Sequence, residues 1–205
     1  MKKHIILILI ITMLYNCGYI EIKNKNIIKN KFDNQKSINL TQATFSFYPV
    51  FYVNDSYKIS KKISIYDYLF KIKDLKNNKL YFVNGTTEDN NTIFFIKEKE
   101  QKLCEIKNIL KEDYLLCEFI YNDKKYFLTG QKHIINENSV LSINYKITDT
   151  DNKEIGYIFK EFYYMKNSYD IIINQDLNNF EDIIYIGLTL FIDTILKENG
   201  FFYRK

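Results

Sequence analysis

Apolar and polar residues alternate along most of the chain after residue 45. Within 68–74, Tyr68, Phe70 and Ile72 are in phase, and Lys71 and Lys73 take the positions between them. Because successive side chains of a strand point to opposite faces, this pattern predicts a strand with one buried and one wet face. Similar runs predict strands near 45–53, 57–65, 68–74, 80–84, 92–98, 102–109, 114–121, 125–129, 139–148, 154–162 and 168–174. The pattern is typical of a mainly β, antiparallel domain.

The alternation stops before Ile183, and from there to Leu196 almost every residue is apolar. Asp182 suits the first turn of a helix and Gly200 suits its end, so we predict a helix near 182–197. A helix that is apolar on every face must be enclosed by protein or by lipid. Its length of about 21 Å is short of a bilayer core, which favours enclosure by the sheet.

Two predicted hairpins have similar sequences. The run at 70–74 ends in Asp74 before a Lys/Asn turn, and the run at 145–149 ends in Asp149 before Asp-Asn-Lys. Acidic residues at 149 and 151 also suggest a calcium loop, but an EF-hand needs glycine at its sixth position, where this chain has Glu154. We therefore interpret the segment as a turn in a meander of similar hairpins.

The first residues have the order of a secretory leader. A basic start with Lys2 and Lys3 is followed by an apolar run from 5 to 14 and then by Leu-Tyr-Asn-Cys at 14–17. The stretch resembles a bacterial lipoprotein signal, in which residues 1–16 are removed and Cys17 becomes the acylated first residue. An ordinary signal peptide and an uncleaved anchor are the alternatives. We expect a protein exported from the cytoplasm and lipid-anchored to a bacterial membrane in the cell envelope.

A polar segment rich in Lys and Asn follows, and we interpret 17–44 as a tether that precedes a domain at 45–205. Its residues Lys23, Lys25, Lys29 and Lys31 lie close to the proposed lipid. Each could add about 1 kcal/mol of attraction to an anionic leaflet. The simpler alternative is a solvated spacer without a recognition role.

A family resemblance is carried by dispersed segments between 57 and 199. They lie at 57–64, 70–74, 83–85, 145–149, 152–158, Lys160, 168–171 and 186–193, and include Asn-Lys-Glu-Ile-Gly-Tyr-Ile at 152–158 and Ile-Gly-Leu-Thr-Leu-Phe-Ile-Asp at 186–193. The chain resembles the tubby-like superfamily, in particular its LURP-one-related branch, to which phospholipid scramblases are related. The resemblance implies a closed antiparallel barrel of about twelve strands around a buried C-terminal helix. Scramblase relatives carry a calcium-associated acidic segment before that helix, which makes Asp176, Asn178, Glu181 and Asp182 a candidate calcium site.

Composition and motifs exclude several functional classes. Lys and Arg total 29 against 25 Asp and Glu, and Arg204 is the single arginine, so we expect no nucleic-acid partner. The sequence contains no nucleophile elbow, phosphate-binding glycine loop or dinucleotide fingerprint. Beyond the leader His133 is the one histidine, which argues against zinc. We expect no catalytic residues, no cofactor and no enzymatic activity.

Three residues of the predicted barrel are candidates for special roles. Cys104 and Cys117 lie in neighbouring predicted strands, where they either form a disulfide or pack as buried thiols. Asp193 is the one acid within the apolar helix, and a buried carboxylate without partners costs several kcal/mol. We therefore expect Asp193 to accept hydrogen bonds from the barrel wall, as a structural residue or as part of a ligand site.

Three functional hypotheses follow. The first is a monomeric, lipid-anchored, non-catalytic barrel that binds a lipid head group, a small ligand or a protein. The second is a scramblase-like protein that moves or perturbs phospholipids, with the terminal helix entering the bilayer. The third is an enzyme of unrecognised type. The first two hypotheses differ in whether the terminal helix is accessible to lipid or is enclosed by the barrel.

Overall fold

Twelve strands and one helix make up the described part of the chain. The computed structural model describes residues 32–43, 50–62, 68–88, 91–111, 114–136, 139–163 and 166–198. The strands are β1 Gln35–Gln42, β2 Val50–Val53, β3 Tyr57–Lys62, β4 Tyr68–Asp74, β5 Leu80–Glu88, β6 Asn91–Glu98, β7 Gln101–Lys111, β8 Tyr114–Tyr121, β9 Lys124–Asn136, β10 Ser139–Asp149, β11 Glu154–Tyr163 and β12 Lys166–Asn174. Helix α1 spans Asp182–Glu198.

The strands form one closed antiparallel barrel. Each strand pairs with its neighbours in sequence, and β1 closes the ring by pairing with both β2 and β12. At this seam Leu40 lies opposite Tyr169 on one side and Val53 on the other. The prediction of a closed, mainly β barrel around a C-terminal helix is confirmed.

Strand β1 lies inside the segment that we interpreted as a tether. Its side chains alternate, with Ile38 and Leu40 buried and Ser37 exposed. Only two apolar residues face the core. The outward positions are polar, so this short alternation was not recognised within a Lys/Asn-rich segment. The barrel therefore begins before the predicted boundary at 45. The strand predicted at 45–53 is β2 from Val50 onward, and residues 44–49 lie outside the described part of the chain.

The alternation predicted for β4 is confirmed from Phe70 to Lys73, and the side chain of Tyr68 lies outside what the structure describes. Phe70 and Ile72 are buried in the lumen, whereas Lys71 and Lys73 are exposed on the outer wall. The same two-residue period runs through the neighbouring strands, since Val83 on β5 and Ile96 on β6 are also fully buried. Apolar side chains from the whole ring therefore point at the axis of the barrel.

Helix α1 fills that axis. Every residue from Ile183 to Thr194 is buried. The ring of Phe191 meets the edge of Phe94 on β6 at 5.0 Å between centroids, and a Cβ added to Gly187 would overlap the side chain of Ile96. The predicted enclosure of this helix by the sheet is confirmed. Within the described ranges, no helix has the length and apolar character needed to cross a membrane.

Tight turns gather at one end of the barrel, which we call the turn end. They lie at 54–56, 75–79, 99–100, 122–123, 150–153 and 175–181. The two similar hairpins close here in the same way: Asp74 Oδ1 accepts bonds from the amides of Lys76 and Asn77, and Asp149 Oδ1 accepts bonds from the amides of Asp151 and Lys153. Asp149 thus acts as a turn residue, as we interpreted it. Helix α1 enters the lumen from this end.

Candidate functional site

Asp193 sits in a sealed polar cluster in the lumen. It is 2% exposed, and the Tyr169 hydroxyl donates a hydrogen bond of 2.8 Å to its Oδ1. Burial raises the pKa of Tyr169 well above its usual value, and the neighbouring Asp193 charge raises it further, so the phenol keeps its proton and remains a donor. The expectation that Asp193 is buried and hydrogen-bonded to the barrel wall is confirmed.

The cluster also contains a buried cation, Lys160, which the sequence analysis named only as part of the family resemblance. Lys160 on β11 lies opposite Tyr169 on β12, is 2% exposed, and places Nζ 5.7 Å from the centroid of the Tyr169 ring. A cation at this distance over an aromatic face is stabilised by the ring. The signal in the sequence was the two-residue alternation of the strand. Lys160 follows the inward-facing Ile158 by two positions and therefore faces the lumen as well.

Asp193→Ala is expected to destabilise the barrel by about 1–3 kcal/mol, because the buried Tyr169 hydroxyl loses its acceptor. Asp193→Asn is expected to cost less, since the amide oxygen can still accept the bond. Thermal unfolding of both variants, and of Asp193→Ala combined with Tyr169→Phe, measures the effect. If the role of Asp193 is purely structural, the double variant should regain part of the stability that Asp193→Ala loses. Unchanged stability together with altered ligand binding would contradict it.

Three of the four candidate calcium residues have separate partners. These residues are Asp176, Asn178, Glu181 and Asp182. Asp176 accepts a bond from Asn34 at 3.1 Å, Asn178 accepts one from the Tyr185 hydroxyl at 2.8 Å, and Lys36 Nζ lies 2.6 Å from Asp182 Oδ1. In the described ranges, no group of three or more His, Cys, Asp or Glu is placed to hold a metal ion. The pair of Lys36 with Asp182 joins β1 to the start of α1, and the calcium site stays a prediction.

The strand register argues against a disulfide, which was one of the two alternatives for Cys104 and Cys117. Cys104 on β7 lies opposite Tyr121, and Cys117 on β8 lies opposite Asn108. The two cysteines face the same lumen but are offset by four positions, which is about 13 Å along a strand. A disulfide needs Cα atoms within about 7 Å. No disulfide joins them, and the alternative of two buried thiols is correct.

Both thiols are expected to resist alkylation in the folded protein. Burial raises the pKa of Cys104 and of Cys117 well above the usual value, so almost no reactive thiolate forms. Mass spectrometry after iodoacetamide treatment, with and without denaturant, checks this. We expect both residues to be labelled only after unfolding. Equal labelling rates in both conditions, or a disulfide in the purified protein, would contradict the structure.

The outer wall of the barrel carries four lysines around one phenylalanine. We call this cluster the lysine wall, and it is formed by Lys58, Lys71, Lys73, Lys97 and Phe82. The strand register makes it continuous: Lys58 lies opposite Lys73, Lys71 opposite Phe82, and Phe82 opposite Lys97. Lys58, Lys71 and Lys73 are exposed, and Phe82 is half-buried between its lysine neighbours. Like charges directly opposite each other destabilise a sheet, so this arrangement does not serve folding.

Lysines on the strands that follow the lysine wall in the ring are neutralised, in contrast with those of the wall. On β7–β9, Lys102 and Lys107 pair with Glu105 at 2.7 and 2.9 Å, and Lys125 pairs with Glu118 at 3.0 Å. Among the described side chains, no carboxylate lies at ion-pair distance from any lysine of the wall. The positive charge of the wall is therefore concentrated and open to an anionic partner.

A polar cleft of about 410 Å³ opens at the turn end. Lys124 and Lys153 lie on its rim together with Asp149 and Asp176, and Tyr126 contributes to its lining. Two of these polar groups already bond within the protein, since Asp149 closes its turn and Asp176 holds Asn34. With charges of both signs, the cleft has a weaker preference for anions than the lysine wall.

Two further sequence candidates lie outside what the structure describes. Cys17 and the leader precede the described residues, and His133 lies on β9 with a side chain that is not described. Comparisons with family models, with curated proteins and with solved structures found no match. The tubby-like resemblance therefore stays a prediction, while the closed barrel with its central helix rests on the structure itself.

Proposed function

We propose that this chain is a lipid-anchored protein of the bacterial cell envelope whose non-catalytic barrel binds anionic lipid head groups through the lysine wall. The observation that supports this proposal is the row of outward-facing lysines across β3–β6, which have no carboxylate partner among the described side chains. Lysines near an anionic leaflet each contribute about 1 kcal/mol of attraction, and half-buried aromatic rings such as Phe82 suit the head-group region.

A binding role suits the barrel better than catalysis. Helix α1 occupies the lumen, and the buried Asp193, Tyr169 and Lys160 are each at most 2% exposed. A substrate could reach these groups only if the barrel opened. Their contacts with one another hold the helix to the wall, which is a structural task.

The burial of α1 also weighs against the scramblase-like alternative. For its apolar surface to enter a bilayer, residues from Ile183 to Thr194 would have to leave a lumen in which they are fully packed. Leaving would expose the apolar lining of the barrel to water, at a cost proportional to the exposed area. The lysine wall requires no such rearrangement in order to meet a membrane.

The lipid anchor is tested at Cys17. In the proposal Cys17 is the acylated residue, because a basic region, an apolar run and this cysteine follow one another in the order of a lipoprotein signal. Cells grown with a clickable fatty acid are expected to label the wild-type protein and not Cys17→Ala. Persistent labelling of the variant would refute the assignment.

Head-group binding is tested with two triple variants of equal charge. In the first, Lys58, Lys71 and Lys73 are changed to Gln; in the second, the neutralised Lys102, Lys107 and Lys125 are changed to Gln. Co-sedimentation of the chain lacking residues 1–16 with phosphatidylglycerol vesicles measures binding. We expect the first variant to bind about a hundredfold more weakly and the second to lose less than about fivefold. Equal losses would mean that net charge, and not the wall, determines binding.

A further inference from the structure

We infer that the lysine wall is seated on its anionic bilayer by two side chains at its margin: Leu75 enters the apolar layer, and Tyr52 lies beside it at the level of the head groups. This inference rests on the proposed function, since it requires that the wall binds a membrane. The observation that supports it is a coincidence of position. Tyr52 and Leu75 are the two most exposed of the large apolar side chains that the structure describes, and both border the wall at the turn end.

Leu75 continues the outward face of β4. The ladder between β3 and β4 extends one step past Asp74, because the Leu75 amide donates a bond of 2.8 Å to the carbonyl oxygen of Ser56. The two-residue alternation of the strand therefore still holds at Leu75, and its side chain shares a face with Lys71 and Lys73. It is 46% exposed. The lysine wall thus ends, at the turn end, in an exposed leucine.

Tyr52 borders the same margin from β2. It lies opposite Lys58, which lies opposite Lys73 on the next strand. From the ordinary spacing of strands and of residues along them, Tyr52 and Leu75 are about 12 Å apart. Tyr52 is 43% exposed. Two apolar side chains and two lysines therefore form one continuous outward surface.

The turn that carries Leu75 is braced from within. Asp74 is buried, and its Oδ1 accepts bonds from the amides of Lys76 and Asn77 at 2.9 and 3.0 Å. The Asp74 amide donates to the carbonyl oxygen of Lys79 at 3.0 Å. These bonds hold the backbone on both sides of Leu75. Insertion of the leucine into a bilayer therefore requires no rearrangement of the barrel.

A bilayer offers both environments that this surface needs. Apolar side chains pass below the head groups, while the ammonium groups of flanking lysines stay at the level of the phosphates and a tyrosine ring suits the interface. Lys58, Lys73 and Lys76 are all exposed around the two apolar side chains, and they outnumber Asp55, the one carboxylate in the neighbouring turn 54–56. The charge of the margin therefore matches that of an anionic membrane.

A tryptophan reporter tests the depth of Leu75. The sequence contains no tryptophan, so Leu75→Trp introduces the only indole of the protein. The chain lacking residues 1–16 is mixed with phosphatidylglycerol vesicles whose acyl chains carry bromine, which quenches indole fluorescence. We expect the emission of the Leu75→Trp variant to shift to the blue and to fall about twofold on binding, because an indole favours the membrane interface.

Ile120→Trp is the matched control for the reporter. Ile120 is 37% exposed on β8, opposite Glu105 and Lys125, on strands whose lysines are neutralised. We expect its emission to stay unchanged when vesicles are added. Equal changes at the two reporters would overturn the insertion of Leu75, because they would mean that the protein meets the bilayer in no fixed orientation.

Co-sedimentation with the same vesicles measures what the two side chains contribute to binding. We expect Leu75→Ser to bind about tenfold more weakly, Tyr52→Ser about threefold more weakly, and Ile120→Ser within about twofold of the unaltered chain. Thermal unfolding of each variant checks that it is folded. Binding of the unaltered chain without quenching at Leu75→Trp would overturn the insertion and leave head-group binding intact. Failure of the unaltered chain to bind any anionic vesicle would instead overturn the proposed function, and the insertion with it.

Discussion

A chain that lacks residues 1–44 is expected to lose the folded barrel, whereas one that lacks residues 1–31 is expected to keep it. The first deletion removes β1, which pairs with β12 from Gln35 to Thr41 and with β2 from Leu40 to Gln42. Without β1 the ring has two open edges. Unpaired edges expose backbone donors and acceptors that favour association between chains.

The energetic loss is large compared with the stability of a domain. Ile38 and Leu40 are almost completely buried, and truncating one such side chain to alanine costs about 2–5 kcal/mol. The deletion also removes the ion pair of Lys36 with Asp182 at the start of α1, which is partly exposed and worth less. A typical domain is stable by only about 5–15 kcal/mol, so these losses suffice to unfold it.

Circular dichroism, thermal unfolding and size-exclusion chromatography distinguish the two deletions. We expect a cooperative transition and a monomer for the chain that begins at Phe32. For the chain that begins at Phe45 we expect aggregation or a broad transition. A matched substitution, Leu40→Asp in the longer chain, should reproduce the damage without shortening the protein. A stable, monomeric chain from residue 45 would show that β1 is not needed to close the ring.

Gly187→Ala is the second change expected to have a large effect. A methyl group at this position overlaps the side chain of Ile96 on β6, where α1 packs against the wall. Alanine favours a helix over glycine by about 1 kcal/mol, but overpacking in a filled core costs about 1–3 kcal/mol or more. Because both Gly187 and Ile96 are buried in the core, we expect net destabilisation and a melting temperature several degrees lower.

A compensating pair makes this prediction specific. Ile96→Ala alone creates a cavity and is expected to cost about 2–5 kcal/mol. Combined with Gly187→Ala, the new methyl group enters the vacated space, so the double variant should be more stable than the sum of the two losses predicts. Chemical denaturation of all three variants measures the coupling. Strict additivity would mean that the helix does not approach β6 at this position.

The sequence predicted what depends on local periodicity. The alternation of Phe70, Lys71, Ile72 and Lys73 identified β4, and the apolar stretch after Asp182 identified α1. Strand β1 was missed because only Ile38 and Leu40 mark its inner face, within a polar segment whose composition is typical of a spacer. Two inward residues are too few to distinguish a strand from chance.

Features that depend on register could not be predicted. Lys71 and Lys73 were expected to face water, but the lysine wall exists only because pairing places Lys58 and Lys97 in the neighbouring rows. The sequence left a disulfide between Cys104 and Cys117 open beside two buried thiols for the same reason, since a shared face does not imply a shared position along the strands. Hydrophobic alternation defines the face of a residue and leaves its partner across the strand undetermined.

The seam between β1 and β12 has a consequence for how the protein matures. The two strands that close the ring are separated by more than a hundred residues, and α1 follows the second of them. When the chain emerges from a membrane channel with its N-terminus first, β1 cannot pair with β12 until nearly all of the sequence has emerged. Such distant pairing is slow to form. If the chain is exported through a membrane as proposed, delayed closure keeps it unfolded during passage, and the arrival of α1 completes the barrel on the far side.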